Sequence, residues 1–260
     1  MRIAVIGSGI SGLSAAYFLG KNHEVTIFEK SDRLGGHTHT HQLELETKIN
    51  VDSGFIVLND KNYKNLMKFF KEIGIDLYKT EMSFSVNSKS LIWNSKEFFN
   101  FSFLTSLKKI KLLIDILKFN YLAKNLKSKE NIGEWLKTFK FSNLFVESYL
   151  LPMTSAIWSS TSKEIRNYPA ESMNNFLNNH GLLNLYDRPQ WYSVLGGSNT
   201  YVEKLLDLKV FNVKLNSEVK INRSENKIFI SNKDESYEFD LLIMANHPNQ
   251  IVECIDDLNE

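Results

Sequence analysis

The hydrophobic positions at the start of the chain follow a strand, helix, strand order. Residues 2–6 form a short apolar run rich in β-branched side chains that ends at Gly7, which is typical of a buried parallel strand. Small and apolar residues continue over 13–19 with helical spacing, and residues 24–29 form a second strand that ends in Glu29. The pattern predicts a βαβ unit.

The turn between the first strand and the helix, residues 7–12, has the sequence G-S-G-I-S-G, which matches G-x-G-x-x-G. The first glycine of this motif permits a tight turn, the second lets the backbone approach a pyrophosphate, and the third lets helix and strand pack closely. The helix N-terminus presents free N–H groups and a partial positive charge to that anion. The residues predicted to hold a dinucleotide here are Gly7, Gly9, Ile10, Ser11 and Gly12.

An acidic residue, Glu29, ends the second strand 22 residues after Gly7. A carboxylate at this distance from the motif accepts hydrogen bonds from the ribose diol of an adenosine. The same carboxylate repels a 2′-phosphate, which argues against NADP. The βαβ unit by itself leaves both NAD and FAD as ligands.

The middle of the chain, residues 59–189, is mainly helical in pattern and contains few glycines. Apolar residues at intervals of three and four predict one face of an amphipathic helix: Phe103, Leu107, Ile110, Ile114, Leu117 and Tyr121. Five lysines lie in or next to this span against one aspartate, Asp115. The segment 101–126 therefore has two interpretations: a helix whose apolar face packs on its own domain, or a basic helix in peripheral contact with a membrane.

The bulk composition excludes several classes of function. The chain has 260 residues, 43% hydrophobic and 23% charged, and a net charge of +1, so no global field favours nucleic acid and no nucleic-acid partner is expected. Cys254 is the single cysteine and cannot form an internal disulfide. No signal-peptide cleavage site and no apolar run of about eighteen residues is present, which favours a cytoplasmic protein.

The segment that follows the second strand carries a family signature. Residues 29–38 have the sequence E-K-S-D-R-L-G-G-H-T. This resembles the E-x-x-x-R-x-G-G-R-x-x-T signature of the FAD-dependent amine oxidase, protoporphyrinogen oxidase and phytoene desaturase superfamily, with a histidine where many members have arginine. In that superfamily the two glycines run along the FAD pyrophosphate, so the resemblance implies FAD. The residues of this segment implied to bind it are Lys30, Arg33, Gly35, Gly36, His37 and Thr38.

Two further segments extend the resemblance. Residues 51–57, V-D-S-G-F-I-V, are similar to the family strand that brings a glycine, here Gly54, close to the flavin. The L-G-G-S sequence at 195–198 is similar to the family's turn into a helix. An NAD-dependent dehydrogenase is the alternative that shares the opening motif. That alternative does not explain the presence of the R-L-G-G and G-G-S segments.

Near the C-terminus, residues 215–219 resemble the family strand whose valine, here Val219, holds the adenine through its backbone. Residues 240–245 resemble the strand that returns to the cofactor and ends at Ala245. Three histidines alternate along the chain: His37, His39 and His41. On a strand this spacing would place all three on one face, as in a metal site, but the residues overlap the flavoprotein signature, so no metal site is predicted.

The resemblance implies an α/β fold with a Rossmann-like FAD-binding domain of the GR2 flavoprotein type. This domain is discontinuous, over residues 1–58 and 190–250, and a mainly helical α+β substrate domain, residues 59–189, is inserted into it. Residues 251–260 are expected to be a truncated tail. Within the superfamily the chain is most similar to bacterial predicted NAD/FAD-binding, amine-oxidase-like proteins, through motifs such as D-S-G-F-I-V at 52–57.

The implied activity is hydride transfer from a C–N or C–C bond of a small molecule to flavin. The substrate is unidentified, and the gene neighbours of the similar bacterial proteins point to a lipid- or isoprenoid-like compound. Family members continue with a Gly-Asp segment that this sequence lacks, so we expect an N-terminal portion of the family fold. The alternative function is accordingly a non-catalytic fragment, or a half that needs a complementing C-terminal chain. No residue is assigned as a catalytic acid or base.

Overall fold

A computed structural model describes most of the chain, and its secondary structure is mixed α/β. The described residues are 1–88, 91–96, 106–124, 126–184, 188–224, 227–232 and 235–255. Within them the strands are β1 Arg2–Ile6, β2 Glu24–Phe28, β3 Thr40–Glu44, β4 Lys48–Asp52, β5 Leu58–Asn59, β6 Leu77–Thr80, β7 Ser85–Asn87, β8 Ile92–Asn94, β9 Trp191–Val194, β10 Asn212–Lys214, β11 Lys220–Arg223, β12 Ile228–Ser231, β13 Ser236–Phe239 and β14 Leu241–Met244.

The helices among the described residues are α1 Ile10–Gly20, α2 Lys64–Glu72, α3 Leu107–Ala123, α4 Ile132–Thr138, α5 Asn143–Phe145, α6 Leu151–Trp158, α7 Ser162–Asn167, α8 Ala170–Asn179, α9 Asn199–Asp207 and α10 Pro248–Cys254. A π-helical segment, Val146–Leu150, joins α5 to α6. The chain divides into two compact units. The first unit is Met1–Leu58, Lys64–Lys79 and Tyr192–Glu260, and the second unit is Asn59–Tyr63 and Thr80–Trp191.

The first unit is built on a four-stranded sheet in the order β10-β2-β1-β14, whose paired strands are all parallel. The central strand β1 is apolar on both faces, and Ile3 to Ile6 are buried, as expected of a strand inside a parallel sheet. Helix α1 connects β1 to its neighbour β2, so the predicted βαβ unit is confirmed. A three-stranded antiparallel sheet, β11-β12-β13, contributes Ile221, Ile230 and Phe239 to a shared apolar cluster with Phe28.

Two of the strands predicted from the sequence differ in the structure. Strand β4 stops at Asp52, because the backbone at Gly54 packs against His37: a Cβ there would lie 1.7 Å from the His37 carbonyl oxygen. Strand β10 stops at Lys214, because Asn216 has a positive φ of 51° and turns the chain. Val219 therefore lies in the loop before β11, and the prediction of a strand over residues 215–219 was wrong.

Helix α2 belongs to the first unit, although its residues fall within the segment 59–189 that was predicted to be the substrate domain. The reason is the packing of its aromatic side chains. Phe69 lies 5.5 Å from the Tyr17 ring, and Phe70 lies 5.3 Å from the Tyr201 ring, between centroids. The roles predicted for the FAD-binding and substrate domains stay predictions.

The second unit has a large aromatic core that the helices surround. Phe119, Trp135 and Phe145 are fully buried there, and the Phe119 ring lies 5.5 Å from Trp135 and 5.4 Å from Phe145. Helix α4 begins with a capping box, in which Asn131 accepts from the Glu134 N–H at 2.9 Å and donates its own N–H to the Glu134 carboxylate.

Helix α3 exists as predicted, but it buries the opposite face from the predicted one. Its buried apolar residues are Leu112, Ile116, Phe119 and Ala123. The predicted stripe is largely exposed. Of the predicted segment, residues 101–105, which include Phe103, and residue 125 lie outside the described part of the chain. The helix carries apolar residues on two faces at helical spacing, and the face with Phe119 is the one that enters the aromatic core.

Candidate dinucleotide-binding site

A cavity of about 1120 Å³ opens in the first unit, where the carboxyl ends of three parallel strands meet. Gly7 follows β1, Glu29 follows β2 and Ala245 follows β14, and all three line the cavity. Backbone hydrogen bonds hold these ends together: the Gly7 N–H donates to Phe28 at 2.9 Å and the Ala245 N–H donates to Ile6 at 2.8 Å. In open α/β sheets this edge is where ligands bind.

The structure brings almost all the predicted cofactor residues to this one cavity. Those that line it are Gly7, Gly9, Ile10, Ser11, Glu29, Lys30, Arg33, Gly35, Gly36, His37, Thr38, Gly54, Val219 and Ala245. The exception is Gly12, which is buried behind the turn: a Cβ there would lie 1.9 Å from the Gly7 carbonyl oxygen. Gly12 therefore serves helix–turn packing rather than direct contact with a ligand.

The N-terminus of α1 points its backbone donors at the cavity. Gly9 is the N-cap residue in extended conformation, and no side chain accepts a hydrogen bond at this cap. Ile10 and Ser11, which follow it, line the cavity. A Cβ at Gly9 would meet no atom within 4 Å, so the space in front of this residue is open. An anion placed there meets the unpaired N–H groups and the positive end of the helix dipole.

Glu29 is half-buried at the cavity wall and is fixed by three hydrogen bonds. One carboxylate oxygen accepts from the Ser8 N–H at 3.0 Å and the Ser8 hydroxyl at 2.6 Å, and the other accepts from the Ser31 N–H at 2.9 Å. Burial disfavours the charged carboxylate, but the hydrogen bonds from Ser8 and Ser31 outweigh it and lower the pKa of Glu29. An ionised carboxylate accepts about four hydrogen bonds, so capacity for a ribose hydroxyl remains.

Arg33 shapes the double-glycine loop through backbone contacts. Its guanidinium donates to the Thr38 carbonyl oxygen at 3.0 Å and to the Gly36 carbonyl oxygen at 2.9 Å. Gly35 and Gly36 both have positive φ, 106° and 58°, and a Cβ at Gly36 would lie 3.0 Å from the Gly9 Cα. The loop thus approaches the α1 turn at a distance that glycine alone permits without displacement.

A buried hydroxyl pair forms another part of the wall. Thr38 Oγ1 and Tyr201 Oη lie 2.7 Å apart, and Tyr201 lines the cavity. Burial raises the pKa of Tyr201, while the hydrogen bond with Thr38 opposes that shift. This phenol is therefore neutral at physiological pH and acts as a fixed hydrogen-bonding group.

The G-G-S turn is anchored to the β3–β4 hairpin by Asp52. The Asp52 carboxylate accepts from the Ser198 N–H at 2.9 and 3.0 Å, from the Ser198 hydroxyl at 2.8 Å and from the Thr40 hydroxyl at 2.5 Å. The Asn199 N–H donates to Thr40 Oγ1 at 2.9 Å, so two side chains satisfy the first donors of α9. The network fixes Thr40, two residues after the cavity residue Thr38.

Sequence reasoning missed the cavity residues after β14. Asn246, His247 and Gln250 line the cavity at or next to the start of α10, and Glu253 and Cys254, which lie in the segment that was expected to be a tail, line it as well. The signal was their position directly after a parallel strand. The His37 and His247 rings lie 5.8 Å apart between centroids. Within the described ranges, no group of three His, Cys, Asp or Glu side chains is arranged to hold a metal ion.

Comparison with known proteins identifies the family. The model of the family described as flavin containing amine oxidoreductase matches residues 10–253. The chain belongs to this family. The match starts inside the G-x-G-x-x-G turn and ends in α10, so it includes most of the residues that line the cavity, but not β1, Gly7, Ser8 or Gly9. The α/β fold expected from the resemblance is confirmed at the level of the family.

Characterised and solved relatives agree with this family. An L-amino-acid oxidase of Pseudechis australis is 35% identical over 77 residues, which cover 29% of this chain and 14% of the relative. A flavin-containing amine oxidase A of Canis lupus familiaris is 33% identical over 82 residues, covering 31% of this chain and 15% of the relative. Both matches are local.

Solved structures match over nearly the whole chain. A putrescine oxidase bound to putrescine superimposes with a TM-score of 0.69 at 17% identity, and covers 98% of this chain and 61% of its own. A cyclohexylamine oxidase from Brevibacterium oxydans gives a TM-score of 0.68 at 19% identity, with 98% and 59% covered. At these identities the likeness shows the fold alone. The chain spans about three fifths of the length of these solved relatives.

The cofactor of the flavin-containing amine oxidoreductases is FAD, and the cavity has features that fit the ADP half of that molecule. The α1 N-terminus offers N–H donors to a pyrophosphate, and the Glu29 carboxylate keeps acceptor capacity for a ribose. Within the described residues, the Asn246 side-chain oxygen is buried at the cavity and has no hydrogen-bond partner. A buried acceptor without a partner is costly, and a bound ligand with a donor relieves that cost.

Proposed function

We propose that this chain binds FAD in the cavity of the first unit, as the cofactor-binding part of an FAD-dependent oxidoreductase. The observation that carries the proposal is the convergence of three features in one cavity of the same unit. These are the uncapped N-terminus of α1, the fixed Glu29 carboxylate and the Gly35–Gly36 loop. NADP is disfavoured by Glu29, because its carboxylate repels a 2′-phosphate.

Each group has a distinct task in this proposal. The backbone N–H groups of Ile10 and Ser11 bind the pyrophosphate, and the helix dipole contributes to its charge stabilisation. Glu29 accepts from the adenosine ribose, and Ser8 keeps the carboxylate ionised and oriented. Arg33 holds the double-glycine loop against the α1 turn, which excludes water from the anion.

The reaction proposed for the flavoprotein of full family length is oxidation of a small-molecule substrate by hydride transfer. Bound FAD supplies the two-electron acceptor for this chemistry. The names of the amine-oxidising relatives favour a C–N bond over a C–C bond. The 260 residues are proposed to bind FAD, and turnover is proposed only for the longer flavoprotein, since the solved relatives extend well beyond this chain.

The second unit is the candidate for the substrate domain in this proposal. Its residues, Asn59–Tyr63 and Thr80–Trp191, interrupt the first unit along the sequence. It contains all four tryptophans of the chain, which suits contact with apolar substrate surface as well as core packing.

Ligand titration tests the proposal. The purified chain is titrated with FAD, NAD and NADP, and binding is followed by tryptophan fluorescence and by the flavin bands near about 370 and 450 nm that any bound flavin gives. We expect FAD to bind at least about tenfold more tightly than NAD, a difference of about 1.4 kcal/mol. NADP should bind most weakly.

Two results would contradict the proposal. A chain that stays folded and takes up no FAD does not contain a functional site in this cavity. A chain that binds NAD as tightly as FAD is instead the nicotinamide-dependent alternative. Glu29→Gln provides the internal control, because it removes the negative charge and should narrow the difference between NAD and NADP.

A further inference from the structure

Helix α3 of the second unit exposes an apolar stripe to solvent. Its exposed members are Leu107, Ile114, Leu117 and Tyr121, with 84%, 59%, 41% and 81% of their surface accessible, and Ile110 is partly exposed in the same row. These five residues, the α3 stripe, follow intervals of three and four and so share one side of the helix. At 3.6 residues per turn the α3 stripe lies about 160° from the buried face that contains Phe119.

Lysines lie along both edges of the α3 stripe. By helical position, Lys111 and Lys118 lie on one edge and Lys124 on the other, and all three are exposed. The Lys118 ammonium donates to the Phe139 carbonyl oxygen at 2.6 Å and lies 4.9 Å from the centre of the Phe141 ring, so it is held against its own unit. The single acidic residue of the helix, Asp115, accepts from the Ser142 hydroxyl at 2.5 Å.

From this arrangement we propose that α3 lies on the surface of an anionic lipid bilayer, with the α3 stripe in the headgroup–acyl boundary. An exposed apolar row flanked by lysines, with tyrosine at its end, matches the chemistry of that interface: apolar side chains enter, and ammonium groups meet lipid phosphates. The helix is about 25 Å long, which gives an extended contact parallel to the membrane plane.

The charge of α3 argues against a second copy of the chain as the occupant of the stripe. A two-fold interface would bring two α3 helices together, each with five lysines in or next to it and one aspartate. Like charges at such a contact are repulsive, whereas anionic headgroups neutralise them. Among the described residues, no helix has the length and apolar character needed to cross a bilayer, so the contact is peripheral.

Vesicle sedimentation of the full 260-residue chain tests the proposal. Sucrose-loaded vesicles of phosphatidylcholine alone are compared with vesicles in which about one third of the lipid is phosphatidylglycerol. We expect sedimentation with the anionic vesicles only, and a progressive loss as NaCl rises from about 0.05 M to 0.5 M, because salt screens the lysines.

Two pairs of substitutions separate the apolar and the charged contributions. Ile114→Ser with Tyr121→Ser should lower the vesicle partition coefficient at least about tenfold, and Lys111→Glu with Lys124→Glu should lower it by about thirtyfold or more. The controls replace exposed residues of the first unit by the same side chains, serine for an apolar pair and glutamate for a lysine pair. They are Leu45→Ser with Val252→Ser, and Lys68→Glu with Lys204→Glu.

Several outcomes would overturn the proposal. They are absence of binding to anionic vesicles, equal binding to neutral vesicles, or α3 variants that bind like their controls. The chain could also self-associate in the absence of lipid. If Ile114→Ser with Tyr121→Ser abolished that self-association, the α3 stripe would be assigned to contact with a second copy. The substituted side chains face solvent, so circular dichroism should show unchanged folding. If the variant with the two serine substitutions unfolds, the variant with the two glutamate substitutions still tests vesicle binding.

Discussion

The two units are packed in different ways: the first through backbone contacts at glycines, and the second through large aromatic side chains. Ten of the twelve glycines lie in the first unit, and several of them allow direct backbone contact, as Gly12 does with Gly7 and Gly54 with His37. All four tryptophans lie in the second unit, where Trp93 and Trp135 fill the core. In the first unit, close backbone contacts at glycines shape a cavity. In the second unit, bulky aromatic side chains fill the interior.

The same contrast appears at two helix N-termini. Helix α4 of the second unit is capped by its own side chains in the Asn131–Glu134 box. Helix α1 of the first unit begins at Gly9 with no side-chain cap and faces a cavity. A helix end without a cap leaves donors unsatisfied, and a ligand can satisfy them. At these two helix ends, the first unit leaves N–H donors facing a cavity where a ligand can bind them, whereas the second unit satisfies the donors of α4 with its own side chains.

Truncation of the aromatic core should have the largest effect. Trp135 is fully buried and lies 5.5 Å from the Phe119 ring and 5.7 Å from the Phe141 ring. Trp135→Ala should lower the free energy of unfolding by about 3–5 kcal/mol, because it leaves a large cavity. Urea unfolding measures this.

Trp135→Phe is the matched control for that truncation. It should cost less than about 1.5 kcal/mol, since a phenyl ring still fills most of the space and a buried indole N–H, without a partner among the described residues, is removed. Equal effects of the two variants would show that the core of the second unit does not depend on filled volume.

A side chain in the α1 turn should destabilise the first unit. In Gly12→Ala the new Cβ meets the Gly7 carbonyl oxygen at 1.9 Å and the Val5 side chain at 3.3 Å. The helix must shift away from β1, so we expect a loss of about 3 kcal/mol in the free energy of unfolding. A thermal unfolding midpoint equal to that of wild type would contradict the close approach on which the cavity is built.

Loss of the Glu29 charge should have an intermediate effect. Glu29→Gln replaces a carboxylate that accepts from Ser8 and Ser31, and should cost about 1–2 kcal/mol at pH 7. Because folding lowers the pKa of Glu29, its contribution is complete above the ordinary value of 4.5 and is lost as the pH falls below it.

The difference in unfolding free energy between wild type and Glu29→Gln should therefore shrink between about pH 5 and pH 3. Denaturant unfolding at each pH measures it, and the subtraction removes the other acidic groups. A difference that is constant over this range, or that grows at low pH, would contradict the hydrogen bonding described for Glu29.

Removal of the α4 cap should have a smaller effect. Asn131→Ala removes the acceptor for the Glu134 N–H and should cost about 1 kcal/mol. Glu134→Gln preserves a capping box and should cost less. If Asn131→Ala has no effect on urea unfolding, the contrast between a self-capped α4 and a ligand-facing α1 loses its basis.

The first unit was the more predictable from sequence because backbone geometry restricts residue type there. Gly7 and Gly12 have no common substitute in a tight turn against a strand, and Gly9 completes a motif typical of dinucleotide binding, so the βαβ unit and its binding site could be inferred. Asn246 and His247 were missed, because nothing in their identity distinguishes them from other loop residues. Their role depends on the strand that precedes them.

Helix α3 shows why the second unit was harder to predict. Two sets of apolar residues in this helix have helical spacing: the buried set Leu112, Ile116 and Phe119, and the α3 stripe. Periodicity therefore locates the helix but does not select its buried face. The choice depends on shape complementarity with the surrounding aromatic side chains, which is a property of the whole core. The same ambiguity leaves the α3 stripe exposed.

Gly9→Ala tests the central claim most directly, because the structure leaves open space where a side chain at this position would lie. Its Cβ would meet no atom within 4 Å, and its backbone is extended, so the free energy of unfolding should change by less than about 0.5 kcal/mol. FAD affinity, measured by titration of both proteins, should nevertheless fall at least about tenfold, because the methyl group enters the space proposed for the pyrophosphate. Unchanged FAD affinity in a stable Gly9→Ala protein would contradict the account.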